Sequence, residues 1–119
     1  MSITGRIVGD VAVFDVAGDL TRMTITVPTL HDLVRAQLET GRRKFLFNYE
    51  KAEFIDSSGI GLIIGAFTSV RNLGGDLRFC CIPQKLRMVM MITGIVPRVI
   101  TAYPDEAAAL ASFAAPESR

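Results

Sequence analysis

The order of apolar and turn-forming segments predicts an α/β fold: a mixed four- to five-stranded sheet that opens with an N-terminal β-hairpin and carries about four helices. Three observations carry that expectation. Two short apolar runs flank Gly9-Asp10, a pair suited to a primed hairpin turn. Helical and strand-like periodicities then alternate along the chain. Finally, Phe45-Leu46-Phe47 is a continuous apolar run, the pattern of a parallel strand covered on both faces.

Taken in order, Ile7-Val8 and Val11-Phe14 form the hairpin, and Gly18-Asp19-Leu20-Thr21 ends its second strand. Pro28 suits the first turn of a helix whose apolar face is Leu30, Leu33, Val34 and Leu38, stopped by Gly41. After Phe47, the residues Asn48, Tyr49 and Glu50 are expected to begin the exit toward the next turn. A second helix places Ile60, Ile63, Ile64, Phe67 and Val70 at helical spacing and ends at Gly74-Gly75. Its Gly59, Gly61 and Gly65 each cost about 1 kcal/mol relative to alanine, which implies close packing, most simply of helix on sheet.

Leu77-Ile82 reads as the next strand, and Pro83 starts a helix with Leu86, Val89, Met90 and Thr93 on one face, ended by Gly94. Met88 and Met91 fall off that face and are candidates for partner contact, since methionine adapts to irregular surfaces. Arg98-Val99-Ile100 after Pro97 reads as a short edge strand. Pro104-Asp105-Glu106 opens the last helix, with Ala107, Leu110, Ala111 and Ala114 inward and residues 115–119 as a frayed tail. Residues 1–119 are expected to form a single domain.

Composition removes several function classes. Thirteen basic and twelve acidic residues leave a formal net charge of +1, so no nucleic-acid surface is expected. The basic run Arg42-Arg43-Lys44 reads as a solvated loop. No apolar segment approaches the roughly 20 residues that cross a bilayer, and the N-terminus lacks a signal-peptide layout, so a cytoplasmic protein without membrane insertion is expected. Adjacent Cys80 and Cys81 in a strand point to opposite faces, and so are read as reduced and buried. One histidine, His31, gives no metal-ligand set; it reads as a surface or helix-flank residue, and neither metal nor cofactor is expected.

The chemistry concentrates at Asp56-Ser57-Ser58-Gly59-Ile60, where a strand turns into a helix N-terminus. Asp and Ser cap helices because their oxygens accept N–H groups that lack an intrahelical partner, and capping alone would account for them. A phosphate added there would also be tolerated by the positive end of the helix. A serine hydrolase is disfavoured, because the Gly-x-Ser-x-Gly elbow is not met and only His31 could act as base. Neither the Gly-x-Gly-x-x-Gly nor the P-loop spacing occurs.

Asp56-Ser57-Ser58-Gly59-Ile60-Gly61, preceded by an apolar strand and followed by a helix ending at Gly74-Gly75, resembles the signature of STAS domains, particularly those of bacterial anti-sigma factor antagonists of the sporulation and stress-response type. The resemblance extends from about Ile7 to Phe113. It implies a non-enzymatic binding protein whose unmodified form binds an anti-sigma factor, itself a serine kinase, and so frees a sigma factor. It further implies that Ser57 is the phosphorylated residue, with Ser58 the second choice and a part of the helix cap, and that a PP2C-type phosphatase resets the switch. Asp56, Ser57, Ser58, Gly59 and Ile60 would then meet the partner. Thr21 departs from the pattern, standing where family members commonly carry Asp close to the phosphorylatable Ser. That departure favours the alternative, a phosphorylation-independent STAS interaction subunit of a transporter or sensory complex.

Overall fold

A computed structural model describes residues 2–24 and 27–114. Its elements are β1 (Ser2–Val8), β2 (Val11–Leu20), α1 (Leu30–Glu39), β3 (Lys44–Ile55), α2 (Ser57–Asn72), β4 (Asp76–Cys80), α3 (Gln84–Ile92), β5 (Ala102–Tyr103) and α4 (Glu106–Ala114). The strands form one sheet in the order β1-β2-β3-β4-β5. Among the described residues only the β1–β2 pair is antiparallel; the others are parallel. The hairpin turns at Gly9, whose φ of +62° is the left-handed conformation such a turn requires.

Alternation along the strands divides the core between two faces. Phe14, Phe47 and Phe79 join residues of α1, α2 and α3 such as Val34, Ile63 and Met90 on one face. Val11, Val13, Leu46 and Cys80 join Ala109 and Phe113 of α4 on the other. Phe45, Leu46 and Phe47 are fully buried, as a strand covered on both sides must be.

Several local expectations are corrected by tertiary packing. Asn48 and Tyr49 do not leave the sheet: β3 continues to Ile55 alongside β2, with register shifts between Asp15 and Ala17 and between Gly18 and Asp19, and Tyr49 is buried edge-on to Phe79 at 5.0 Å between ring centroids. Pro28 precedes α1, after a cis Val27-Pro28 bond, while Thr29 is the cap. The Thr29 hydroxyl accepts the Asp32 N–H and the Asp32 carboxylate accepts the Thr29 N–H, a reciprocal capping box.

Arg98-Val99-Ile100 is not a strand. Pro97 offers no N–H to a ladder, and the segment from Ile95 closes on itself, Ile100 N–H to Ile95 oxygen at 2.8 Å, burying Ile95, Val96 and Ile100. The edge strand lies further on, at Ala102–Tyr103. Strand β4 stops at Cys80; Cys81 has φ +61° and is only half-buried, and both thiols are free.

On α4 the inward residues are Ala109 and Phe113, with Leu110 partly buried against the same cluster, Ala107 and Ala111 exposed, and the Ala114 side chain outside the described residues. Phe113 sets that face, its ring lying 4.3 Å below the Arg78 guanidinium. Residues 115–119, read as a tail, lie outside the described residues. Ile64, counted with the inner face of α2, is 45% exposed, and Ala66 takes its place in the core.

Candidate functional site at the start of helix α2

The site grows from the junction of β3 and α2. Asp56 has extended backbone angles (φ −117°, ψ −172°) and is the N-cap of α2. Its Oδ1 accepts the N–H groups of Ser58 at 2.9 Å and Gly59 at 3.1 Å. Its Oδ2 accepts the Arg22 N–H at 3.0 Å, and the Asp56 N–H donates to the Leu20 carbonyl. The N–H groups of Arg22, Gly59 and Ser58 together hold the Asp56 carboxyl below the ordinary carboxylate range.

Ser57 is the first residue of α2 and is exposed. Among the described residues its hydroxyl has no hydrogen-bond partner, so it faces solvent at the positive end of a 16-residue helix. Ser58 is half-buried, and capping falls to Asp56 alone: Ser58 contributes its N–H, while its hydroxyl is not part of the cap. Gly59 is buried beneath the end of β2. A Cβ there would collide with the Leu20 carbonyl and lie 2.8 Å from Ile55 Cγ1. Gly59 therefore offers the outside little, while Ile60 is half-buried against the core. Gly65 is explained by another close approach, since a Cβ there would stand 3.1 Å from His31 Nδ1, whereas nothing lies within 4 Å of a Cβ at Gly61.

Thr21 sits in the turn that Asp56 holds. Its N–H donates to Thr24 Oγ1 at 3.1 Å, its hydroxyl lies 3.1 Å from the same atom, and Thr24 Oγ1 donates to the Asp19 carbonyl. The hydroxyls therefore knit the loop after β2 internally, and Arg22 supplies its link to α2. Sequence reading missed Arg22, because its contribution is a main-chain N–H that no side-chain motif announces.

His31 is half-buried on α1 with Nε2 2.7 Å from Ser69 Oγ. Ser69 lies about 18 Å along α2 from Ser57 at 1.5 Å per residue, so His31 cannot serve Ser57 as a base. Met88 and Met91 are exposed on α3, as their spacing predicts, and Ile92 beside them is 82% exposed. Helix α3 packs against β3, the strand that leads into the Ser57 turn. Phe54 and Met23 are also largely exposed, within a few residues of Ser57 and next to Arg22 respectively. Among the described residues no His/Cys/Asp/Glu group could hold a metal, and no helix is long and apolar enough to cross a membrane.

The family model for the STAS domain matches residues 2–109. This chain belongs to the STAS domain family. As a STAS domain it is similar to the anti-sigma F factor antagonist of Paenibacillus polymyxa, 26% identical over 84 residues that cover 66% of this chain and 71% of the relative. The STAS fold is shared with the Bacillus cell fate determinant SpoIIAA in its phosphorylated form, at a TM-score of 0.71 and 20% identity over 93% of this chain and 99% of that one. It is shared equally with a sulfate transporter family protein of Wolinella succinogenes, at a TM-score of 0.70 and 14% identity over 90% and 87% of the two chains. At such identities the two structures speak for the fold alone.

Proposed function

We propose that this STAS domain is an anti-sigma factor antagonist, a cytoplasmic binding protein without catalysis of its own. In its unmodified form it binds an anti-sigma factor serine kinase and releases a sigma factor, and phosphorylation of Ser57 switches it off until a PP2C-type phosphatase resets it. The observation that carries the reading is the Ser57 hydroxyl: exposed, unbonded among the described residues and seated at the first position of α2. The similarity to an anti-sigma F factor antagonist supports it, and a relative of this fold is known in a phosphorylated form.

The division of labour follows from the cap. The Asp56 carboxylate is occupied by three main-chain N–H groups and is held ionised by them, so it fixes the turn, and the kinase supplies the base that deprotonates Ser57. A phosphate adds about −1.5 to −2 charge beside Asp56. The helix terminus returns only about 0.3 to 1 kcal/mol, whereas disrupting a buried charged contact at an interface costs about 2 to 5 kcal/mol. The interface effect prevails, and partner affinity falls roughly thirtyfold or more. Phe54, Ile60, Met88 and Met91 provide apolar surface that such a partner would cover.

Incubation with an anti-sigma kinase from the same organism and MgATP, read by intact mass and peptide mapping, tests this. A gain of one phosphate on Ser57 is expected; an unchanged mass with a demonstrably active kinase refutes it. A second reading, a phosphorylation-independent interaction subunit, is favoured by Thr21 in the place of the carboxylate and by the fold shared with a sulfate transporter family protein. Ser57→Ala and Ser57→Asp separate the two. Opposite effects on partner binding support the switch, and equal, mild effects support the subunit.

A further inference from the structure

We propose that the free edge of β1 is the seam of a symmetric dimer, in which a second copy of this chain adds its own β1 antiparallel about a two-fold axis at Gly5. The sheet has two edges, and they are unequal. Strand β5 has two residues, too few to template another strand, whereas β1 has seven and pairs with β2 on one side only among the described residues.

The backbone of β1 is in the right phase. A two-residue turn closes on a hydrogen-bonded pair, here Val8 with Val11. By alternation Arg6, Thr4 and Ser2 bond to β2, while Ile7, Gly5 and Ile3 aim their N–H and C=O groups away from it. With the axis at Gly5, Gly5 meets Gly5 of the second copy and Ile3 meets its Ile7. The residues with outward backbone groups are thus the ones that become opposed, and every such group finds a partner.

The side chains agree. Ile3, Gly5 and Ile7 share the face of the sheet that carries α1, and they border a groove of about 260 Å³ also lined by Phe14, Leu33 and Ala36. Ile7 is 45% exposed at its rim. The same register sets Ile against Ile over that groove, and Gly5 between them makes room for the Phe14 ring, which a Cβ there would meet at 3.2 Å. On the other face it sets Thr4 against Arg6 of the second copy. Arg6 is the sole charged residue of β1, and it is already bonded to Asp15 and Glu106, so the two copies bring no free like charges together. Strand β1 also lacks lysine and proline, residues by which exposed edges commonly block strand addition. An isologous two-fold contact of this kind is self-limiting, because it consumes the long edge of both copies.

Sedimentation equilibrium of the full chain, with Ile7→Lys beside it, tests the seam. The unmodified chain is expected to dimerise reversibly, and Ile7→Lys to raise the dimer dissociation constant about tenfold or more, since each dimer buries two copies of that side chain. Amide hydrogen exchange on the unmodified chain gives a second readout that needs no variant: protection at Ile3, Gly5 and Ile7 rises with protein concentration, while that at Ser2, Thr4 and Arg6 does not. A chain that stays monomeric across the series overturns the proposal. So does a dimer indifferent to Ile7→Lys, or one that leaves those amides unprotected.

Discussion

Asp56 and Arg22 are tied through 3.0 Å, carboxylate Oδ2 to main-chain N–H, and that bond fastens the loop after β2 to the start of α2. Because Oδ1 of the same carboxylate caps the helix, one side chain sets both the height and the orientation of Ser57. The serine itself contributes nothing to this joint, which leaves its hydroxyl free to be modified without unpicking the fold.

The joint has a pH signature. Hydrogen bonds to the charged form hold the Asp56 carboxyl below its ordinary value, so its contribution to stability is fully present above the unfolded pKa of about 3.9 and is lost as pH falls through the lower folded value. Asp56→Asn keeps one acceptor oxygen and removes the charge. The urea midpoint of Asp56→Asn is expected to lie below that of the unmodified chain at neutral pH, and the gap to shrink toward pH 3. A gap that stays constant with pH would mean that the charge is irrelevant to the cap.

Neighbouring glycines of α2 are expected to respond in opposite directions. Gly59→Ala drives a methyl into the Leu20 carbonyl and Ile55 and should destabilise by about 1 to 3 kcal/mol, the usual cost of overpacking. Gly61→Ala meets nothing within 4 Å and should stabilise by up to about 1 kcal/mol through helix propensity. Urea denaturation of the two variants side by side checks the sign of each.

The contrast between those glycines also marks how far the sequence could be read. Turn chemistry is local, so the Gly9-Asp10 hairpin, the Asp56 cap and the stop at Gly94, whose φ is +82°, were all legible. So were the apolar strand centre at Phe45-Phe47 and the outward position of Met88 and Met91. What escaped depends on partners distant in the chain. Tyr49 stays in the sheet because β2 continues beside it, and its ring has Phe79 to pack on. Nothing near residue 49 announces either. The edge strand was misplaced because Ile100 finds its bond at Ile95, a closure no periodicity predicts. At the site, Asp56 was readable as a cap, but its reach to Arg22 was not.

Tyr49 carries a stability prediction. It is fully buried, and among the described residues its hydroxyl lacks a hydrogen-bond partner; desolvation pushes its phenol well above the ordinary range, so it stays neutral. An unsatisfied buried hydroxyl costs about 1 to 3 kcal/mol. Tyr49→Phe keeps the contacts with Phe47 and Phe79 and removes that cost, and it should raise stability by about 1 kcal/mol in urea denaturation. A loss of stability instead would show that the hydroxyl is satisfied in solution.

Ser57→Asp should leave the fold almost untouched while imitating part of the proposed phosphorylation. The new carboxylate gains about 0.3 to 1 kcal/mol from the N-terminus of α2 and gives some of it back to repulsion from Asp56. With the residue exposed, the net change in stability is expected to stay within about 0.5 kcal/mol. In the proposed complex with an anti-sigma factor its effect is of another order, because there the added charge must be desolvated against the partner. Thermal melting and a binding isotherm on the same preparation therefore separate folding from docking: an unchanged midpoint with a roughly thirtyfold weaker complex is the expected pair. A variant that melts early would shift the explanation to the turn itself, and one that binds as tightly as the unmodified chain would remove Ser57 from the interface.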